Sequence, residues 1–207
     1  MVTIIDYGVG NIGSIANMLR KIGSDSIITS DQEKIKDADK IVLCGIGAFD
    51  DGITKLEQMN IIDVLRQKVL EEKTPILGVC LGMQLFTKGS EEGAKQGLGF
   101  IDGYTRRFNF QSNGNERALR VPHMGWNIAR AVKPSRLYEN MYDDPRFYFV
   151  HSYCVALENK EDELLQTVYG YNFTSAFEKN NIIGVQFHPE KSHKFGIRLY
   201  ENFVRNY

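Results

Sequence analysis

Two short stretches carry side chains able to do covalent chemistry. The first, Gly78-Val79-Cys80-Leu81-Gly82, sets a cysteine between two glycines at the end of an apolar run over 76–79. In a G-x-C-x-G spacing a strand delivers the middle residue to a sharp turn and a helix leaves from it. Glycines are needed there, where a Cβ would collide with neighbouring chain. A thiol at such a helix start meets unpaired N–H groups and the helix dipole, which favour thiolate. The alternative is an inert buried cysteine acting as a small hydrophobe. A base within reach would decide between the two. Of the histidines His123, His151, His188 and His193, His188 stands out in Gln186-Phe187-His188-Pro189-Glu190. It follows an apolar strand over 182–187, and Pro189 ends that strand. Glu190 can accept the ring N–H, fix the tautomer and support an imidazolium, which completes a nucleophile–base–orienter set. An ordinary surface ion pair is the competing reading of His-Pro-Glu on its own.

The elements that must position these groups follow from periodicity. Residues 2–6, 26–29, 41–44 and 76–79 read as short continuous apolar strands, and 12–22 and 55–72 as helices, the latter stopped by Pro75. This alternation implies right-handed βαβ units and a parallel sheet covered on both faces. After residue 97 the texture changes. Stretches 99–110 and 118–129 look strand-like around the hairpin signal Asn113-Gly114. Further strands are expected over 147–154, 165–171, 173–178 and 182–187, and a closing amphipathic helix over 194–206. The expectation is one domain over 1–207, parallel first and mostly antiparallel after.

Composition excludes several classes. The chain has 207 residues, 43% of them hydrophobic, and a formal net charge of -1, so neither nucleic acid nor an anionic membrane is an expected partner. No apolar run approaches the ~20 residues that cross a bilayer. The start, MVTIIDYGVG, lacks the basic region of a signal peptide. Cys44, Cys80 and Cys154 are odd in number and far apart, which points to a reducing cytosol. No C-x-x-C or H-x-x-x-H spacing suggests a metal, and no cofactor is expected. One motif pulls the other way: Gly8-Val9-Gly10-Asn11-Ile12-Gly13 is a G-x-G-x-x-G between a strand and a helix, with Asp31 near the place of a ribose-binding acid. The chain is short for a dinucleotide enzyme and its second half lacks repeated βαβ units. A tight strand-to-helix turn beside another site is the plainer reading.

Taken together, Gly78-Val79-Cys80-Leu81-Gly82-Met83-Gln84 and Gln186-Phe187-His188-Pro189-Glu190 resemble the class I (triad) glutamine amidotransferases. More narrowly, VPHMGWN (121–127), YFVHSY (148–153) and QFHPEKS (186–192) resemble the glutaminase subunits of imidazole glycerol phosphate synthases, and the resemblance covers nearly the whole chain. It implies an α/β, three-layer, flavodoxin-like domain with a parallel sheet and additional antiparallel strands. It also implies hydrolysis of L-glutamine through a thioester on Cys80, with His188 as acid and base and Glu190 behind it.

The same resemblance implies roles for further residues. The oxyanion would be held by the backbone of Leu81 and of Ile46. The glutamine would be held by Gly47, Gln84, Glu92 and the backbone at Ser152 and Tyr153, with Glu92 facing the α-ammonium group. Without the resemblance, Glu92 is an exposed acid in a charged stretch. Asn11, His123, Met124, Trp126, Tyr148 and Lys191 would lie at the contact with a synthase, a cyclase subunit of (β/α)8 fold, and at the ammonia exit, giving a heterodimer. One departure stands out: Cys44 occupies the place of a usual proline before Gly45-Ile46-Gly47, which leaves that turn less constrained. Three readings stay open beside the main one: a relative feeding ammonia to a sugar-modifying amidotransferase, a stand-alone hydrolase of γ-glutamyl compounds, and a nucleotide-binding module without catalysis.

Overall fold

The computed structural model describes residues 1–110 and 119–207. The continuous apolar runs form strands Val2–Ile5 (β1), Ser26–Thr29 (β2), Lys40–Gly45 (β3) and Ile76–Cys80 (β4), and the pairs β1–β2, β1–β3 and β3–β4 are parallel. Between them run helices Ile12–Lys21 (α1), Gln32–Lys36 (α2), Phe49–Gln58 (α3) and Ile62–Arg66 (α4), and Leu81–Leu85 (α5) leaves directly from β4.

Alternate strand residues face two separate apolar layers, as the side-chain period of two requires. Ile4, Val42, Leu77 and Val79 pack with Ile15 and Leu19 of α1 and with Leu199, Tyr200 and Phe203 of the C-terminal helix His193–Asn206. Ile5, Ile41, Leu43 and Ile76 pack with Phe49, Ile53 and Leu56 of α3, Leu65 of α4, and Met83 and Leu85 of α5. The outcome is the expected three-layer α/β arrangement. Its strand order begins β2-β1-β3-β4, as in flavodoxin-like sheets.

The second half completes the sheet. Its strands are Gly103–Arg107 (β5), His123–Ile128 (β6), Arg130–Ala131 (β7), Arg146–His151 (β8), Tyr153–Leu157 (β9), Glu163–Tyr169 (β10), Tyr171–Lys179 (β11) and Ile182–Val185 (β12). Strand β12 joins β4 in parallel, and β11, β10 and β7 follow antiparallel, with β9 on β11 and β5 on β9. Strands β6 and β8 form a separate antiparallel ribbon.

Three expectations need correction, and Asp31 is accounted for as well. The periodic stretch 55–72 is not one helix. Helix α3 starts earlier and ends at Gln58, Asn60 takes a left-handed φ of 54°, and a π turn, Gln67–Glu71, follows α4. Asparagine tolerates that conformation, and the apolar spacing continues across the break, so periodicity hides it. Asp31 is a helix cap, its carboxylate accepting from Glu33 N to start α2. Residues 99–110 and 118–129 do not pair as a hairpin: β5 pairs with β9 and β6 with β8, while the Asn113-Gly114 signal lies outside the described residues. The stretch 147–154 is two strands that part at Ser152.

The glycine-rich turn has a packing reason. Gly10 has φ +100°, and a Cβ there would lie 2.9 Å from Cys44 Sγ and 3.1 Å from the Cys44 carbonyl. The motif therefore seats the β1–α1 turn on β3. This accounts for Gly10 without a dinucleotide, and Gly8 takes φ +79° in the same turn.

Candidate active site

The nucleophile candidate is shaped by backbone geometry. Cys80 ends β4 at φ 55° and ψ -109°, a region non-glycine residues seldom visit and one that costs on the order of 1–3 kcal/mol. Its neighbours permit the turn. A Cβ on Gly82 would run into the Leu43 carbonyl, and one on Gly78 would lie 2.8 Å from Met83 N. The flanking strands then set what Cys80 meets. Gly45 of β3 pairs with Cys80 on one side, which brings the Gly45-Ile46-Gly47 turn alongside. On the other side β12 runs parallel with Val185 opposite Val79, so Gln186 stands level with Cys80 and His188 emerges just beyond.

His188 is held on both its backbone and its ring. Its N–H donates to Tyr148 O at 2.9 Å, and Ser192 Oγ donates to its carbonyl at 2.6 Å while accepting from Tyr148 N at 3.0 Å. Nδ1 lies 2.8 Å from Glu190 Oε1, and both side chains are buried. A carboxylate only accepts, so Nδ1 carries the proton. Nε2 makes no hydrogen bond of ordinary geometry among the described residues, which leaves it for reacting groups. Burial opposes the charged ring, but interaction with Cys80 and then with Glu190 outweighs it and raises His188 to about 9.

Cys80 and His188 line a cleft of about 510 Å³ that also takes in Ile46, Gly47, Leu81, Gln84, Glu92, Ser152, Tyr153 and Lys191. The residues the sequence assigns to oxyanion and glutamine binding thus meet the cysteine and histidine in one cleft, and Glu190 joins them through its bond to His188. The details refine some assignments. Both amide hydrogens of Gln84 are committed, to Tyr153 O at 3.2 Å and to Gln186 Oε1 at 3.1 Å, so only its oxygen remains for a ligand. The Ser152 carbonyl accepts from Phe108 N, and the Tyr153 carbonyl from Gln84 and His151. Glu92 accepts from Phe49 N at 2.9 Å, yet burial, aided by Asp50 and Asp51, raises its pKa. A half-buried carboxylate with no ion pair among the described residues is suited to receive a cation.

Cys44 and Cys154 present a different chemistry. All three cysteines are free. Burial, with repulsion from Glu190 and Cys80 acting the same way, pushes the Cys44 thiol up to about 12. Burial likewise pushes Cys154 up to about 12. Neither offers a thiolate near neutrality.

The residues assigned to a docking face divide. Met124 is 62% exposed and Trp126 46%, and Trp126 stacks on His193 at 5.4 Å and meets Tyr148 edge-on at 6.2 Å. Lys191 Nζ sits 5.6 Å from the Tyr148 ring centre. Asn11 is exposed at the start of α1, on the same carboxyl edge of the sheet. His123 is the exception. It is 3% exposed and turned inward, bonded to His151 Nε2 at 3.0 Å and stacked on Tyr169 and Phe149. Strand alternation explains this: Met124 and Trp126 share one face of β6 and His123 takes the other.

A sequence profile described as "Glutamine amidotransferase class-I" matches residues 3–207. The chain belongs to the class-I glutamine amidotransferases. Among similar curated proteins, the imidazole glycerol phosphate synthase subunit HisH 2 of Methanococcus maripaludis is 52% identical over 205 residues, covering 99% of each chain. HisH 2 of Pseudomonas aeruginosa is 44% identical, covering 99% of this chain and 98% of its own, and HisH of Leptospira interrogans is 43% identical over 99% of both. A solved glutamine amidotransferase superposes with TM-score 0.71 at 17% identity, covering 99% of this chain and 97% of that one. PurLQS from Thermotoga maritima does so with TM-score 0.70 at 16% identity and the same coverage. These two share the fold of the class-I amidotransferase described here.

Two groups escaped the sequence reading of this amidotransferase. Gln186 is fully buried beside Cys80, and a lone amide inside the apolar run 182–187 was a signal that it had a specific partner. His151 and His123 form a buried pair whose meeting depends on β6–β8 register and could not be read from spacing.

The histidines give opposite pH dependences. His188 is raised above its unfolded value of about 6.5, so its contribution to stability is complete below pH 6.5 and is lost as pH rises through about 9. His123 and His151 are lowered by burial to about 4 and about 3, so their contribution is complete above pH 6.5 and is lost as pH falls toward those values. The melting temperature is therefore expected to fall on both sides of about pH 6.5. His151→Gln should flatten the acid limb and His188→Asn the alkaline limb. Unchanged slopes in both variants would contradict these environments.

Proposed function

We propose that this chain acts as one domain over 1–207 and is the glutaminase subunit of an imidazole glycerol phosphate synthase, delivering ammonia for histidine biosynthesis. The observation that carries the chemistry is the meeting of Cys80 and His188 in one cleft, with Glu190 bonded behind the imidazole. End-to-end identity of 52% to a HisH subunit supports the choice of synthase.

The chemistry follows from the positions. Cys80 sulfur, its proton held by His188, attacks the side-chain carboxamide of L-glutamine. The oxyanion formed is received by the N–H groups of Leu81 and of Ile46, where one such donor is worth about 3 kcal/mol of transition-state stabilisation. As the tetrahedral intermediate collapses, His188 Nε2–H gives its proton to the leaving nitrogen and ammonia departs, leaving a γ-glutamyl thioester. Neutral His188 then takes a proton from water, hydroxide adds to the thioester, and glutamate and the thiolate–imidazolium pair are regenerated. Glu190 keeps the ring in the tautomer that serves both halves. Gly47, Gln84 and the backbone at Ser152 and Tyr153 position the substrate, and Glu92 binds its α-ammonium group.

Ammonia set free in neutral water is protonated and loses its nucleophilicity, so a docked acceptor is needed. The exposed Met124 and Trp126, with Tyr148, Lys191 and Asn11, form the face on which a cyclase subunit of (β/α)8 fold would sit, giving a heterodimer. An exposed tryptophan flanked by an apolar side chain is a suitable anchor. No helix among the described residues is long and apolar enough to cross a membrane, and three free cysteines suit the reducing cytosol.

Separating ammonia production from ammonia use tests this reading. Cys80→Ser replaces an ionisable thiol by a hydroxyl, and glutamine-dependent product formation with the cyclase should fall by a factor of about 10³ or more. Added ammonium salt at alkaline pH should restore it. If only a sugar-modifying amidotransferase stimulates the wild-type chain, the glutaminase chemistry stands and the pathway is wrong. Full, partner-independent glutaminase activity would mark a stand-alone hydrolase.

A second outcome isolates the ammonium contact. Glu92→Gln should raise KM for glutamine about 10- to 100-fold, the worth of a charged hydrogen bond, with kcat nearly unchanged. A normal KM would remove Glu92 from the binding set.

A further inference from the structure

A continuous chain of buried polar groups runs from the docking strand β6 to the nucleophile, and its donor directions are fixed from one end. The Tyr153 carbonyl can only accept, so His151 Nδ1, 2.7 Å away, carries the proton. His151 Nε2 is then an acceptor and takes the Nδ1–H of His123 at 3.0 Å. His123 Nε2 in turn accepts from Asn127 Nδ2 at 3.3 Å, while the second hydrogen of that amide goes to Val168 O at 2.9 Å. Both rings are neutral in this arrangement, since a further proton would set donor against donor.

From Tyr153 the chain continues inward. Gln84 Nε2 donates to the same Tyr153 carbonyl and to Gln186 Oε1, and these two acceptors settle the orientation of the Gln84 amide. With its oxygen turned to Gln84, Gln186 has its Nε2 turned to Cys80 Sγ, 3.8 Å away, within the range of an N–H···S contact. The backbone supports this orientation, because Gln186 N donates to Ser175 O at 2.9 Å and the strand register sets Gln186 level with Cys80.

We propose that Gln186 is a further catalytic residue of the glutaminase, its side-chain N–H donating to the Cys80 sulfur in an orientation imposed by the chain Asn127–His123–His151–Tyr153 O–Gln84. The donor matters at two moments. It stabilises the thiolate before attack, and it stabilises the same thiolate as leaving group when water cleaves the thioester. Gln186 sits behind the sulfur and is not among the residues lining the cleft. Its N–H therefore acts on kcat, while its Oε1 reaches glutamine binding only through Gln84. The inference rests on Cys80 being the nucleophile proposed above.

The test uses the full chain docked on its cyclase. Gln186→Met keeps the length and removes the donor. Gln186→Glu keeps an acceptor for Gln84 and places a carboxylate beside the sulfur. Steady-state glutamine hydrolysis and the pH dependence of iodoacetamide alkylation, with the alkylated cysteine identified by peptide mapping, are measured for each. In the methionine variant kcat should fall about 10- to 100-fold, the range of a hydrogen bond to a charged acceptor, with any rise in KM from the lost Gln84 partner smaller than the fall in kcat. The alkylation profile should move to higher pH, which a loss of packing alone would not produce. The glutamate variant should be slower still. Wild-type kcat and an unmoved profile in the methionine variant would overturn the proposal. If that variant does not fold, the glutamate variant decides by the same readings. Alkylation of a cysteine other than Cys80 in the wild-type chain would instead overturn the functional reading on which the proposal stands.

Discussion

The conformation of Cys80 is the constraint on which the rest of the site depends. At φ 55° and ψ -109° the residue is strained, and the cost is sustained by packing around it. Strand β4 lies between β3 and β12, each paired with it in parallel, so the residue cannot relax along the sheet. Gly82 is pressed against the Leu43 carbonyl, which fixes where α5 begins. In return Cys80 lines the cleft. One neighbouring strand supplies the Gly45-Ile46-Gly47 turn, and the other supplies Gln186 and His188. A parallel sheet thus gathers three segments that are far apart in sequence.

The three histidines around the cleft show how environment divides one residue type into two roles. His123 and His151 are buried among aromatic rings and held neutral, so they serve as fixed donors and acceptors. His188 is equally buried but sits between a carboxylate and a thiol, and those partners outweigh desolvation. Burial, with repulsion from Glu190 and Cys80 behind it, keeps Cys44 on the neighbouring strand protonated far above neutrality. Cys44 also answers for the turn that lacks a proline. Its sulfur packs under Gly10, so contact with the β1–α1 turn restrains this part of β3 where a ring would otherwise have done so.

Much of this was legible in the sequence because it is written locally. The elbow, the His-Pro-Glu corner and the apolar strands each depend on residues within a few positions of one another, and the parallel half follows from their alternation. Features that depend on register were not legible. The inward turn of His123 is set by which face of β6 meets β8, and a motif quoted as VPHMGWN does not carry that information. The partners of β5 and β6 were not legible either, because tertiary strand order decides them. The break at Asn60 escaped because an amphipathic period can run through a left-handed residue. The role of Gln186 is not legible in its motif, since only the side-by-side placement of β4 and β12 reveals what its amide faces.

The central claim is that the strained cysteine becomes covalently acylated, and direct trapping of that species examines it most closely. The docked wild-type chain is mixed with isotopically labelled glutamine, quenched in acid within the first turnovers, digested and mapped by mass spectrometry. A γ-glutamyl adduct on the peptide containing Cys80, labile to hydroxylamine and absent from the His188→Asn variant, is the expected result. Label on Cys44 or Cys154, or active turnover with no protein-bound label under any quench time, would contradict the account.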